Sequence, residues 1–180
     1  MMFCGQRFNV YLLLAATAAG WCGCATESGS HKKQLSSLRI HLEVNTDDPK
    51  SSEQARIGRS TPVVVNVEPE PFLTEVHVKS GEVVDTPGGY ALRQKFGKQG
   101  GRLLEQYTTA NRGKRFAIFS KFVSPPTHKL NAGRWLAAPV LPHIGDGILT
   151  FVPDATREEA VEIARGLTNI GKKLDPEPKW

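Results

Sequence analysis

All three cysteines of this 180-residue chain, Cys4, Cys22 and Cys24, lie within its first 24 positions. Whatever folds after them has no disulfide framework, no thiolate metal site and no cysteine nucleophile, so an apolar core must hold it. Removing two dozen residues leaves about 140 to 150, enough to bury such a core without staples. With 39% hydrophobic and 23% charged residues, the composition is that of a globular domain.

The same cysteines mark a targeting segment. Arg7 supplies a positive charge, and the stretch from Phe8 to Ala19 is apolar but shorter than the roughly 20 residues a membrane span needs. Residues 1–23 are therefore expected to be a signal peptide. Gly23-Cys24-Ala25 resembles the cleavage site of bacterial lipoproteins, with Cys24 the residue that would carry the lipid. Trp21 stands where that pattern usually has leucine, and Cys22, preceded by Trp21, is the rival anchor. The alternative is an ordinary cut near Ala18 or Ala19 that releases a soluble protein. A lipidated cysteine carries several acyl chains, each buried methylene contributing about 0.8 kcal/mol, which makes such an anchor stable. Ala25 is not the aspartate that marks inner-membrane retention in enterobacterial lipoproteins, so the expected location is the outer membrane, facing the periplasm. Residues 24–37, polar and rich in serine and lysine, are expected to form a flexible tether.

From residue 38 to 174 the pattern is that of one α+β domain, a mostly antiparallel sheet with two helices packed on one face, followed by a polar tail at 175–180. Leu38, Ile40, Leu42 and Val44 alternate as a half-buried strand, which leaves His41 and Glu43 on the solvent side. Residues 45–60 are polar and acidic and read as an excursion loop. Pro62 to Val67 is β-branched and reads as a strand. Val76 to Val84 is a third, broken at Gly81, and Tyr90 to Phe96 a fourth, beyond a turn at Thr86-Pro87-Gly88-Gly89. Leu103, Leu104, Tyr107 and Ala110 recur at helical spacing in a short helix ended by Asn111 and Gly113, and Arg115 to Phe119 returns to a strand stopped by Pro125-Pro126. The last helix has a capping box in Thr156 and Glu159, an apolar face of Ala160, Ile163, Ala164, Leu167 and Ile170, Gly171 as its expected cap, and Lys172-Lys173 against the dipole.

Several of these segments, taken in order, resemble a known family. They are Pro71-Phe72-Leu73-Thr74-Glu75, Phe96-Gly97, Leu104-Glu105 with Thr108 and Thr109, the run from Asn111 to Ile118, Val123-Ser124-Pro125-Pro126, and the helix from Glu158 to Leu167. From Pro62 to Gly171, 110 of the 180 residues, the chain is similar to the periplasmic head subdomain of the SecD and SecDF export-translocase accessory proteins. The resemblance implies contact with exported polypeptide and names no catalytic residues. Functions tied to the family's membrane helices and the proton gradient do not transfer to this stretch.

Nothing else in the sequence proposes chemistry. His31, His41, His77, His128 and His143 have no metal-binding spacing, no phosphate loop or nucleophile elbow occurs, and neither enzyme activity nor a cofactor is expected. Charge is the remaining signal. Between Arg93 and Arg134 lie ten Lys/Arg and one acid, Glu105. Lys98 and Arg102 open the first helix while Arg112, Lys114 and Arg115 crowd its exit, with the ends of so short a helix only about 15 Å apart. These five are the candidate site for an anionic partner, with Glu68, Glu70, Glu75 or Glu162 as the acids that could neutralise them instead. Aromatic residues interleave this stretch as they do in nucleic-acid-binding faces, but export leaves lipid headgroups, wall polymers and acidic segments of proteins as the available anions. The expected partners are thus the membrane through the lipid anchor, and an unfolded exported polypeptide or an anionic envelope surface, without nucleic acid. Two function classes stay open: a binding or accessory protein, and a structural envelope protein that self-associates or packs on a neighbour.

Overall fold

The computed structural model describes residues 34–175 apart from 46, 47, 49, 50, 60, 126 and 128. The expected leader at 1–23, the expected anchor Cys24, most of the expected tether and residues 176–180 of the expected tail lie outside the described residues. Eleven strands, two α-helices and a 3-10 turn at Glu75–His77 follow in order among the described residues. The strands are β1 (Ser37–Leu42), β2 (Glu53–Ile57), β3 (Val63–Val67), β4 (Leu73–Thr74), β5 (Val78–Thr86) and β6 (Gly89–Phe96), then β7 (Phe116–Lys121), β8 (Val123–Ser124), β9 (Lys129–Leu130), β10 (Arg134–Ala137) and β11 (Ile148–Phe151). Helix α1 (Lys98–Ala110) falls between β6 and β7, and α2 (Arg157–Leu174) follows β11. Every ladder is antiparallel. The expected α+β class is what the chain adopts, with the strands divided among a four-stranded sheet ordered β10-β7-β1-β4, a three-stranded sheet ordered β11-β6-β5, and the two-stranded pairs β2-β3 and β8-β9.

The core forms where the apolar faces of both sheets meet the helices. Leu38 and Ile40 of β1, Phe116 and Ile118 of β7, Leu92 of β6 and Leu149 of β11 are fully buried with Leu104 of α1 and Ile163 and Leu167 of α2. Phe72, from the segment that resembles the translocase family, stacks on Tyr107 with centroids 4.0 Å apart. The neighbouring Glu75 carboxylate accepts the Leu38 N–H at 3.2 Å. Thr108 is fully buried, donates to the Leu104 carbonyl and accepts the Ile144 N–H, so it pins the loop before β11 to α1. These family-like residues are fasteners of the fold.

Five expectations change. Part of the 45–60 excursion is β2, which pairs along its length with β3. Only Ala55 of its five residues is buried, so the strand has almost no apolar signature of its own and exists through that pairing. The β2–β3 hairpin lies over the outward side of β1 and β7, where Ala55, Val65, Val67 and Ala117 form a second small core with Trp135 against it. His41, expected in solvent, is consequently buried, its Nδ1 2.7 Å from the Glu68 carbonyl and its ring edge-on to Trp135.

Gly81 does not break β5, which runs from Val78 to Thr86 with its register shift against β6 lying earlier, between Val78 and Ser80. A side chain there would meet the Gln94 amide, whose Oε1 lies 2.5 Å from the Cβ position. Gly171 does not cap α2, which continues to Leu174; a methyl at 171 would meet the Lys79 carbonyl carbon at 2.7 Å and the Val78 oxygen at 2.9 Å. The glycine is the point where the helix touches the strand. Residues 34–37, expected in the tether, are fastened to the domain. The Gln34 carbonyl accepts from Asn169, Ser36 donates to the Glu162 carbonyl, and the Ser37 carbonyl accepts from Ser120.

The capping box of α2 is present as read. The Thr156 N–H donates to Glu159 Oε2 at 2.8 Å, and the Glu159 N–H to Thr156 Oγ1 at 3.3 Å. Helix α2 lies along β5, the edge strand of the three-stranded sheet, and Thr168 Oγ1 there accepts the Gly81 N–H at 2.9 Å. The helix is thereby the cover of that edge, which an open sheet otherwise leaves as a template for pairing.

Candidate interaction surface

The five basic residues singled out by charge fall into two groups at opposite ends of α1. Thirteen residues at about 1.5 Å each make this helix about 20 Å long, so the groups are farther apart than the roughly 15 Å expected of a shorter helix. At the start, Gly97 is the N-cap without a side-chain hydrogen bond, and the first turn contains no acid. Lys98 and Arg102, both exposed, therefore add to the positive end of the helix dipole instead of being offset there. At the exit, the Asn111 side chain donates to the Tyr107 carbonyl, and Gly113 takes the left-handed conformation at φ +81° that turns the chain into β7. Arg112 is exposed, Lys114 and Arg115 are half-buried, and the Arg115 N–H donates to the Glu43 carboxylate at 2.7 Å.

Among the described residues the salt bridges are Arg59–Asp154, Arg93–Glu82, Arg134–Glu159, Arg157–Asp85 and Arg165–Glu162, none of which includes Lys98, Arg102, Arg112, Lys114 or Arg115. Of the acids considered as their neutralisers, Glu75 is turned to the Leu38 N–H and Glu162 to Arg165.

A further feature was not legible as a site. The exposed face of the three-stranded sheet has a recess of about 340 Å³ whose walls include Glu82, Arg93, Lys95 and Ile148. Cross-strand register makes these walls, because Glu82 stands opposite Arg93 and Ile148 opposite Lys95. The alternation of Arg93 and Lys95 along β6 was the available signal, but it said only that both face solvent. Arg93 pairs with Glu82 at 3.2 Å. Beneath the sheet, the buried amide of Gln94 has no hydrogen-bond partner.

Electrostatic perturbation lies elsewhere. Burial lowers the affinity of His41 for a proton, against the opposing pull of the Glu68 carbonyl and of Glu53. Arg157, 2.6 Å from Asp85, holds that carboxyl below its ordinary range. Burial raises the Tyr90 hydroxyl, which donates to the Ala155 carbonyl ahead of α2. The Arg157–Asp85 and Tyr90–Ala155 contacts dock α2, whereas the His41 contacts hold the β2–β3 hairpin. Among the described residues no three His, Cys, Asp or Glu side chains gather as a metal site, and no helix is long and apolar enough to cross a membrane.

With that architecture, the chain is similar to a solved SecDF chain described as a membrane component that enhances protein export, at a TM-score of 0.53. The fold is SecDF-like. The match covers 76% of this chain, more than the stretch from Pro62 to Gly171, and 63% of the SecDF chain, at 21% sequence identity. A second SecDF structure, in a super-membrane-facing form, gives a TM-score of 0.53 and 22% identity over 76% of this chain and 19% of that one. The chain thus spans less than two thirds of either SecDF chain. No family model and no curated protein matches the sequence. Within this chain, the family-like segments read in the sequence place Phe72 on Tyr107, Thr108 under the loop before β11, and the capping box at the start of α2.

Proposed function

We propose that this chain is a bacterial envelope lipoprotein, anchored through Cys24 and facing the periplasm from the outer membrane, whose SecDF-like domain binds exported polypeptides as a non-catalytic accessory factor. The observation that carries the reading is the SecDF-like fold over 76% of the chain. The leader from Met1 to Gly23 and the Gly23-Cys24-Ala25 sequence support export and lipidation. The test is site-specific photocrosslinking of the full chain in envelope preparations during secretion of a slowly folding precursor. Crosslinks to the unfolded precursor that vanish once it has folded are expected; a crosslinking pattern indifferent to precursor overturns the binding role. Membrane fractionation tests the anchor separately. Cys24→Ser is expected to move the protein to the soluble fraction, and a variant that fractionates like the parent overturns lipidation at that residue.

A second reading is favoured by the basic groups at the two ends of α1, whose side chains form no salt bridge among the described residues. They fit an anionic lipid or cell-wall surface, for which the domain would serve as a structural envelope component.

A further inference from the structure

Sheet edges in this fold are mostly closed. On β5, Thr168 occupies Gly81 and the Lys79 carbonyl lies against Gly171. On β10, the Leu136 carbonyl accepts the Asp154 N–H at 2.7 Å. Beyond β3, the Asn66 carbonyl accepts the Val44 N–H, and the Glu68 N–H donates to the Leu42 carbonyl.

The outer edge of β11 differs. The Phe96 N–H donates to the Gly147 carbonyl at 2.9 Å, so that pair is hydrogen-bonded across the ladder. Antiparallel pairing alternates, and the register Leu149↔Gln94 and Phe151↔Leu92 therefore turns the backbone groups of Leu149 and Phe151 towards β6. Those of Ile148 and Thr150 turn outward. Asp146 takes the Ile148 N–H at 3.0 Å, while the Thr150 N–H and carbonyl have no partner among the described residues. Thr150 is exposed, as is Val152 at 69%.

The recess lies beside this edge. Ile148 continues the row of Ser80 and Lys95, and Thr150 the row of Glu82 and Arg93. A strand laid about 4.8 Å beyond β11 would extend both rows on the same face, within reach of those long basic side chains. Arg93 is shared with Glu82, whereas Lys95 has no acidic partner among the described residues.

We propose that the outer edge of β11 takes up an extended polypeptide segment as an additional strand, with acidic residues favoured on the Arg93–Lys95 face. Main-chain hydrogen bonds supply affinity without regard to sequence, and the recess and its cations supply preference. The inference rests on the domain's being a polypeptide binder and gives that role a place and a mode.

The test uses the full chain with two kinds of probe. One is a permanently unfolded, reduced and carboxymethylated polypeptide; the other is a short peptide alternating valine and glutamate, with its valine–lysine counterpart and a version N-methylated at alternate residues. Both unmodified acidic probes are expected to slow amide hydrogen exchange at Thr150 and to compete with each other. Loss of two or so hydrogen bonds on N-methylation should weaken binding about tenfold or more, and the lysine peptide should bind more weakly than the glutamate peptide. If the probes bind while Thr150 stays unprotected, or N-methylation changes nothing, the edge site is wrong and polypeptide binding stands. If no probe binds, both are wrong.

Discussion

Arg134 and Glu159 meet in a two-pronged pair, Nη1 to Oε1 at 3.1 Å and Nη2 to Oε2 at 2.6 Å, that ties the edge strand β10 to the first turn of α2. The same Glu159 oxygen accepts the Thr156 N–H, and Arg134 also reaches the Asp154 carbonyl and lies over the Phe122 ring. Side-chain exposures of 27% and 13% keep water from replacing the pair freely. Glu159→Gln is expected to cost about 1–3 kcal/mol in urea unfolding, because the Arg134 charge is left with a weaker partner. Burial alone would raise the Glu159 carboxyl, but Arg134 and the Thr156 N–H outweigh it, and its affinity for a proton is lowered. Its contribution is then present above the ordinary glutamate range near 4.5 and is lost as pH falls through the lower folded value. The difference between parent and variant should shrink over that acid window; a difference independent of pH there would refute the ionic account.

Two glycines in helices should respond in opposite senses to alanine. At Gly171 the added methyl meets the Lys79 and Val78 backbone, whereas at Gly101 its nearest neighbour is the Gly147 Cα at 3.5 Å, an ordinary contact. Gly171→Ala should destabilise by about 2–4 kcal/mol despite better helix propensity, through overlap with rigid backbone. Gly101→Ala should be neutral or stabilise by up to about 1 kcal/mol. Equal effects of the two variants on the urea midpoint would contradict the close approach of α2 to β5.

His41 gives the β2–β3 hairpin a pH dependence. Its ring is enclosed by Trp135 and the Glu68 carbonyl, with Glu53, Arg39 and Glu68 the charged groups acting on it. Its folded-state pKa lies below the ordinary 6.5, so the unfolded chain binds the proton first and stability falls as pH drops below about 6.5. His41→Gln should flatten that slope below about pH 6.5 while lowering stability at neutral pH. Thermal unfolding followed at several pH values measures both, and an unchanged slope in the variant would assign the effect elsewhere.

Arg102 and Arg112 are exposed and outside the salt bridges among the described residues. Reversing both to glutamate should leave stability within about 0.5 kcal/mol. If α1 faces an anionic surface, binding to vesicles containing phosphatidylglycerol should fall steeply with added salt in the parent and be abolished in the double variant. Unchanged vesicle binding would dismiss the basic groups as a contact surface.

The sequence by itself determined what depends on residues a few positions apart. The capping box of Thr156 and Glu159, the apolar face from Ala160 to Leu167 and the alternation of Leu38, Ile40 and Leu42 follow from helical and strand periods, and the structure keeps each of them. The antiparallel α+β class follows from such elements in succession. The tertiary structure decided what depends on residues far apart. Glu53–Ile57 is a strand only because Val63–Val67 pairs with it, and His41 is buried only because that hairpin folds over it. Gly171, in form a helix terminator, became a contact because a strand some ninety residues earlier runs beneath it. The open edge of β11 is of the same kind. Which backbone groups stay unpaired depends on every neighbour the strand acquires, and no local pattern in Ile148–Phe151 records that.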